Sequence, residues 1–111
     1  MPIVLLVNQN SASASEYVTG AFKDHNKGTI IGVKTFGKAL GQVTYQFDGD
    51  DSGLTLTIAR YFTPSGKCIH GEGITPDIVI ELSDEYKNSA VTDIPFEQDT
   101  QLQKAIEELK K

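Results

Sequence analysis

The sequence predicts an α/β fold: a βαβ unit, then a β-hairpin region, then a C-terminal helix. Three observations carry this. Ile3-Val4-Leu5-Leu6-Val7 is an unbroken apolar run, the pattern of a strand buried on both faces. Ala14, Val18, Ala21 and Phe22 follow at helical spacing, and the β-branched run from Thr29 to Val33 comes next, so the order is strand, helix, strand. Beyond Gly37 the period becomes two: Val43, Tyr45 and Phe47 alternate with polar residues, and Leu54, Leu56 and Ile58 do the same.

Each element has its punctuation. The first strand, Pro2 to Val7, is broken by Asn8-Gln9-Asn10-Ser11, and the helix ends at Asn26-Lys27-Gly28. Asp48 to Gly53 joins the alternating segments as a hairpin loop, Thr63-Pro64-Ser65-Gly66 is a turn, and Ile78 to Ile80 is a further short strand. Leu102, Ala105, Ile106 and Leu109 form one face of the last helix, capped by Asp99 or Thr100. A chain that opens on its most buried strand reads as a piece of something longer.

Composition narrows the function. Of 111 residues, 39% are hydrophobic and 23% charged, the balance of a globular domain. The net charge of −5 argues against a nucleic-acid footprint, and a single cysteine rules out an internal disulfide or a thiolate zinc cage. Residues 1–70 hold six Lys/Arg against five Asp/Glu, whereas residues 71–111 hold four against ten. The acidic surplus is a solvated C-terminal face, and chemistry is expected in the nearly neutral first part.

Several short motifs fail on inspection. Gly32 to Ala39 approaches a phosphate-cradling loop, but Ala39 stands where a Mg²⁺-holding hydroxyl is needed and a strand pattern follows instead of a helix. Asp48 to Gly53 begins like a calcium loop whose twelfth position is Ala59 in place of a bidentate Glu. Cys68 and His70 share a face of an extended segment, a geometry that seldom aims a base at a nucleophile. His25 closes a helix, where a cation suits the dipole.

The junction Ser11-Ala12-Ser13-Ala14-Ser15-Glu16 carries more. Ser13-x-x-Glu16 is a capping box, and the same geometry leaves a hydroxyl at a helix N-terminus among small residues, where local N–H groups can stabilise an oxyanion. A nucleophile there needs a base. Ser13 follows the first strand and Lys38 the second, so in a βαβ unit both reach the same sheet edge. Gly37, Ala39 and Gly41 leave little water around the amine, and desolvation lowers a lysine toward the pKa of a general base.

At these residues the chain resembles the C-terminal processing peptidases (tail-specific proteases). The resemblance rests on Val7-Asn8, Ser11 to Glu16, Thr35-Phe36-Gly37-Lys38, Gln42, Thr57 to Gly66 and Gly73-Ile74-Thr75-Pro76-Asp77, in the family's order. It implies a piece of a ClpP/crotonase-like serine protease core. Residues 1–81 would be the C-terminal half of the catalytic domain, without the upstream half and the PDZ domain, and residues 82–111 an acidic linker and helix. It implies Ser13 as nucleophile, Lys38 as general base, Gln42 holding that lysine, and the Ala14 N–H in the oxyanion hole beside an upstream glycine that this chain lacks. Family members usually carry Gly after the lysine, where this chain has Ala39. No metal or cofactor is implied; the partners are protein or peptide substrates, and the location of a bacterial parent is periplasm or cell envelope. The rival expectation is a non-catalytic peptide-binding module on the same fold. Self-association through the uncovered sheet is also expected.

Overall fold

The computed structural model describes residues 1–111. In chain order the elements are β1 (Val4–Val7), α1 (Ala14–Asp24), β2 (Thr29–Gly32), β3 (Leu40–Gln46), β4 (Gly53–Arg60), β5 (Ile78–Val79) and α2 (Thr100–Leu109), with two short 3₁₀ turns at Val91–Asp93 and Phe96–Gln98. β1, β2 and β5 form a parallel sheet in that order, β1 pairing with β2 from Val4–Thr29 to Val7–Gly32. The sheet and α1 make the expected βαβ unit, and β3 and β4 form the expected antiparallel hairpin.

Position in the sheet decides which strand is buried. β2 lies between two partners, and its Ile30 and Ile31 are fully buried. β1 is an edge strand, with Leu6 43% exposed, so the reading of a strand covered on both faces belongs to β2. Asp77 fastens β2 to the segment entering β5. Its Oδ2 accepts from the Ile30 N–H at 3.0 Å and its Oδ1 pairs with Lys23 Nζ of α1 at 2.9 Å. Lys23 also donates to the Thr75 carbonyl at 2.7 Å.

The sequence stripe on α1 is likewise corrected. Ala14 is exposed and Val18 is 52% exposed, whereas Glu16, Thr19 and Gly20 are buried. The helix turns its small and polar side inward because Gly20 lets it approach the chain at Thr63; a Cβ there would come within 2.9 Å of Thr63 Cγ2. At the other end of the chain, Asp99 is the cap of α2, accepting from the Leu102 N–H at 2.8 Å. α2 packs on β1 and β2 through buried Ala105, and Gln101 Nε2 reaches the Ile80 carbonyl at 2.7 Å.

The β3–β4 ribbon, bulged at Gly41/Gln42, leaves Tyr45, Phe47, Leu54, Leu56 and Ile58 exposed. The small core cluster of Ala39, Ile69 and Ile74 lies under the entry to β3 and fastens the loop before it.

Candidate active site

The carboxyl ends of β1 and β2 meet at the register pair Val7–Gly32, so the segments that follow them emerge side by side. They are joined directly: the Phe36 N–H donates to the Ser11 carbonyl at 3.0 Å. Ser11 itself is structural, its Oγ accepting from the Asn8 N–H at 3.0 Å while its own N–H returns to the Asn8 carbonyl at 2.9 Å. This tight turn delivers Ser13 to the start of α1.

Ser13 stands at φ 55°, ψ −117°. Positive φ is unfavourable for any side chain with a Cβ, and for a non-glycine residue such strain persists only where surrounding contacts impose it. Here those contacts are the capping box with Glu16, in which the Ser13 N–H donates to Glu16 Oε2 at 3.1 Å, and the first helical carbonyl bond, from the Tyr17 N–H to the Ser13 carbonyl at 3.1 Å. The Ala14 N–H follows at the head of the helix, where no carbonyl four residues back can take it. A hydroxyl on a strained turn with a free N–H next to it is the arrangement that acyl-transfer nucleophiles use.

Glu16 is the residue that organises the site, and the sequence reading left it a helix cap. Its side chain is fully buried and accepts four hydrogen bonds: Ser13 N–H, Thr35 Oγ1 at 2.6 Å, Gly37 N–H at 2.6 Å and Lys38 N–H at 2.8 Å. One carboxylate therefore fixes the backbone of both expected catalytic residues. On its far side the Lys38 loop is clasped by residues 69–74. Thr35 Oγ1 accepts from the Ile74 N–H at 2.7 Å, and the Gly71 N–H donates to the Gly37 carbonyl at 2.9 Å. Gly37 has φ 92°, and a Cβ there would lie 2.8 Å from the Gly73 nitrogen, so both conformation and space demand glycine.

The side chains are less assembled than the backbone. Lys38 is exposed, without a side-chain hydrogen bond or ion pair, in place of the desolvated amine the small flanking residues suggest; Gly37 and Ala39 are buried, and only the lysine between them points out. Gln42, also exposed, directs its Nε2 to Thr57 Oγ1 of β4 at 3.3 Å and not to Lys38. Its place beside the bulge explains this, since the bulge at Gly41/Gln42 sets its register against Thr57.

Next to Ser13 lies an aromatic pair. Tyr17, one turn along α1, meets Tyr61 with ring centroids 4.8 Å apart. Burial pushes the Tyr17 phenol above its ordinary pKa, with the neighbouring Ser13 hydroxyl acting in the opposite direction. Cys68 and His70 flank buried Ile69 in an irregular segment, Cys68 half-buried and His70 exposed. A separate cavity of about 360 Å³ opens between the turn after β1 and residues 81–101, and neither Ser13 nor Lys38 lines it.

Residues 1–80 match the model of peptidase family S41, and the chain belongs to that family. It is 52% identical over 93 residues to a carboxy-terminal-processing protease of Bartonella bacilliformis, an alignment covering 82% of this chain and 21% of that protein. Among solved structures, a photosystem II D1 C-terminal processing protease is 47% identical with a TM-score of 0.65 over 71% of this chain and 20% of that one. An S41 protease from Bacteroides fragilis, 22% identical, shares the fold over 98% of this chain and 28% of its own, with a TM-score of 0.71. The chain thus spans about a fifth of the length of the curated relative.

Proposed function

We propose that this chain is the nucleophile-bearing part of a serine endopeptidase that processes the C-terminal regions of proteins, with Ser13 and Lys38 as a catalytic dyad. What supports the reading is the Glu16 carboxylate, which binds the backbone of Ser13 and of Lys38 at once. The strained backbone of Ser13 adds to it.

In the mechanism, Ser13 Oγ attacks the peptide carbonyl while neutral Lys38 Nζ takes its proton, forming a tetrahedral oxyanion that the Ala14 N–H stabilises. Collapse breaks the C–N bond as Lys38 returns the proton to the leaving amine. A water then gives its proton to Lys38 and attacks the acyl-Ser13 ester, and collapse of the second tetrahedral intermediate breaks the ester bond as Lys38 returns that proton to Ser13 Oγ, releasing the carboxyl product. For this, Lys38 must lose the water that now surrounds it and Gln42 must exchange Thr57 for the amine. Both changes are assigned to the rest of the full-length enzyme's catalytic domain closing over the loop, so this chain alone is weakly active or inactive. The full-length enzyme works outside the cytoplasm, in the periplasm or cell envelope.

Peptide hydrolysis by the full-length enzyme tests the reading. Ser13→Ala and Lys38→Ala abolish cleavage and Cys68→Ala leaves it intact. Full activity in Ser13→Ala, or its loss in Cys68→Ala alone, overturns the assignment. Peptide binding without cleavage by the unaltered enzyme identifies a non-catalytic module instead.

A further inference from the structure

Two carboxylates in the protein are buried, Glu16 and Asp99, and they are satisfied unequally. Glu16 receives four donors, whereas Asp99, 6% exposed, receives one, the Leu102 N–H on its Oδ1. A carboxylate out of water is costly until its lone pairs meet donors, and Asp99 Oδ2 meets none in the protein while keeping some accessible surface. Gln101, 9% exposed, is in the same position: its Nε2 donates to the Ile80 carbonyl, and its Oε1 is left without a donor. Both residues line the cavity of about 360 Å³ beyond the turn after β1. Its other charged residues are Glu81 and Lys87, and the Lys87 ammonium is engaged by Asp84 at 3.1 Å. The first-turn N–H groups of α2 add only about half a positive charge, so Asp99 and Glu81 leave the cavity negative. Leu6, Val7, Val33, Leu82 and Ile94 supply its apolar lining.

We propose that this cavity binds the side chain of an arginine presented by another polypeptide. A guanidinium has five N–H donors and no acceptor, which is the complement of Asp99 Oδ2 and Gln101 Oε1. The aliphatic stem of an arginine covers the apolar lining while its head reaches the acid. At the small end of ligand cavities, about 300–1,000 Å³, the space suits one long side chain and not a folded element. The only arginine of this chain, Arg60, closes β4 and does not line the cavity, so the occupant comes from outside. Asn8, Gln9 and Asn10 form part of the lining, which places the site behind the turn that leads to Ser13. No step of the proposal uses Ser13 or Lys38, and it stands whether or not they catalyse.

The test is calorimetric titration of the full-length enzyme with acetyl-arginine-methylamide and with its uncharged isostere, acetyl-citrulline-methylamide. The arginine probe binds, and the citrulline probe binds at least about tenfold more weakly, the loss of one charge-assisted hydrogen bond. Asp99→Asn keeps the helix cap, since asparagine caps as well as aspartate, and weakens arginine binding by a similar factor. Asp84→Asn, which removes an exposed acid outside the cavity, leaves it unchanged. Equal binding of the two probes by the unaltered enzyme, no binding of either, or undiminished arginine binding by Asp99→Asn overturns the site. Dissociation of self-associated enzyme by the arginine probe assigns the cavity to Arg60 of a second copy and overturns the outside partner.

Discussion

The backbone N–H of Lys38 donates to Glu16 at 2.8 Å, and the same carboxylate receives the N–H of Ser13 at 3.1 Å. Two segments 25 residues apart in the sequence are thus fixed to one buried acid. A charged group without solvent is tolerable only when its lone pairs are filled, and here four donors fill them.

Removing that acid unties both segments. Glu16→Ala leaves buried donors unpaired at about 1–3 kcal/mol each, for a loss of more than about 3 kcal/mol, a large share of a small domain's stability. Glu16→Gln, which turns an amide NH₂ toward some of those donors, falls between it and the unaltered chain. Urea denaturation midpoints check the order.

Ser13 holds a positive φ that glycine adopts freely. Backbone strain of this kind costs roughly 1–3 kcal/mol, against about 0.5–1 kcal/mol for the extra freedom glycine has when unfolded. Ser13→Gly therefore stabilises the chain by about 1 kcal/mol while removing the nucleophile, and Ser13→Val destabilises it. A denaturation midpoint for Ser13→Gly below that of the unaltered chain contradicts the reading of strain held for function.

Asp77 gives the pH dependence. Partial burial pushes its carboxyl upward, but the Lys23 ammonium and the Ile30 N–H outweigh this and hold it below the ordinary carboxylate value. A folded-state pKa below the unfolded one means that the stabilisation is complete above the unfolded value, about 3.9, and is lost as pH falls through the folded value. Stability declines on acidification below about pH 4, and Asp77→Asn flattens that part of the profile, as thermal melts across pH 2–6 will record.

The β3–β4 ribbon exposes Tyr45, Phe47, Leu54, Leu56 and Ile58, and α1 exposes Val18, apolar side chains of the kind that mark association surfaces. Self-association of this chain follows, and sedimentation velocity at rising concentration reads it. Ile58→Lys and Leu56→Lys on the ribbon return the chain toward monomer, whereas a clean monomer for the unaltered chain contradicts the expectation.

What was legible in the sequence was whatever depends on local pattern. The apolar run before Asn8, the β-branched run from Thr29 and the alternation around Tyr45 gave the βαβ unit and the hairpin, because period and turn chemistry are written in adjacent residues. The order of strands is not local, so β1 read as the most buried strand when β2, lying between two partners, holds that place. On α1 the apolar stripe misled, since the inward side is Glu16, Thr19 and Gly20. The role of Glu16 was hidden because a capping box already accounts for a glutamate at that position. Its other partners, Thr35, Gly37 and Lys38, arrive from 19 to 22 residues away. The one available signal was that a Glu, a Thr and a Gly at 16, 19 and 20 share a helix face, with Lys23 next along it. The exposed Lys38 was equally out of reach, because water access depends on what covers a loop and not on its flanking residues.

The central claim is that Ser13 is a nucleophile whose reactivity depends on Lys38. It is tested most directly by treating the full-length enzyme with a fluorophosphonate and locating the adduct by peptide mass spectrometry. The account predicts a single adduct on Ser13, absent after Lys38→Ala and retained after Cys68→Ala. An adduct on Ser11 or Ser15, or undiminished labelling of Ser13 after Lys38→Ala, would contradict it.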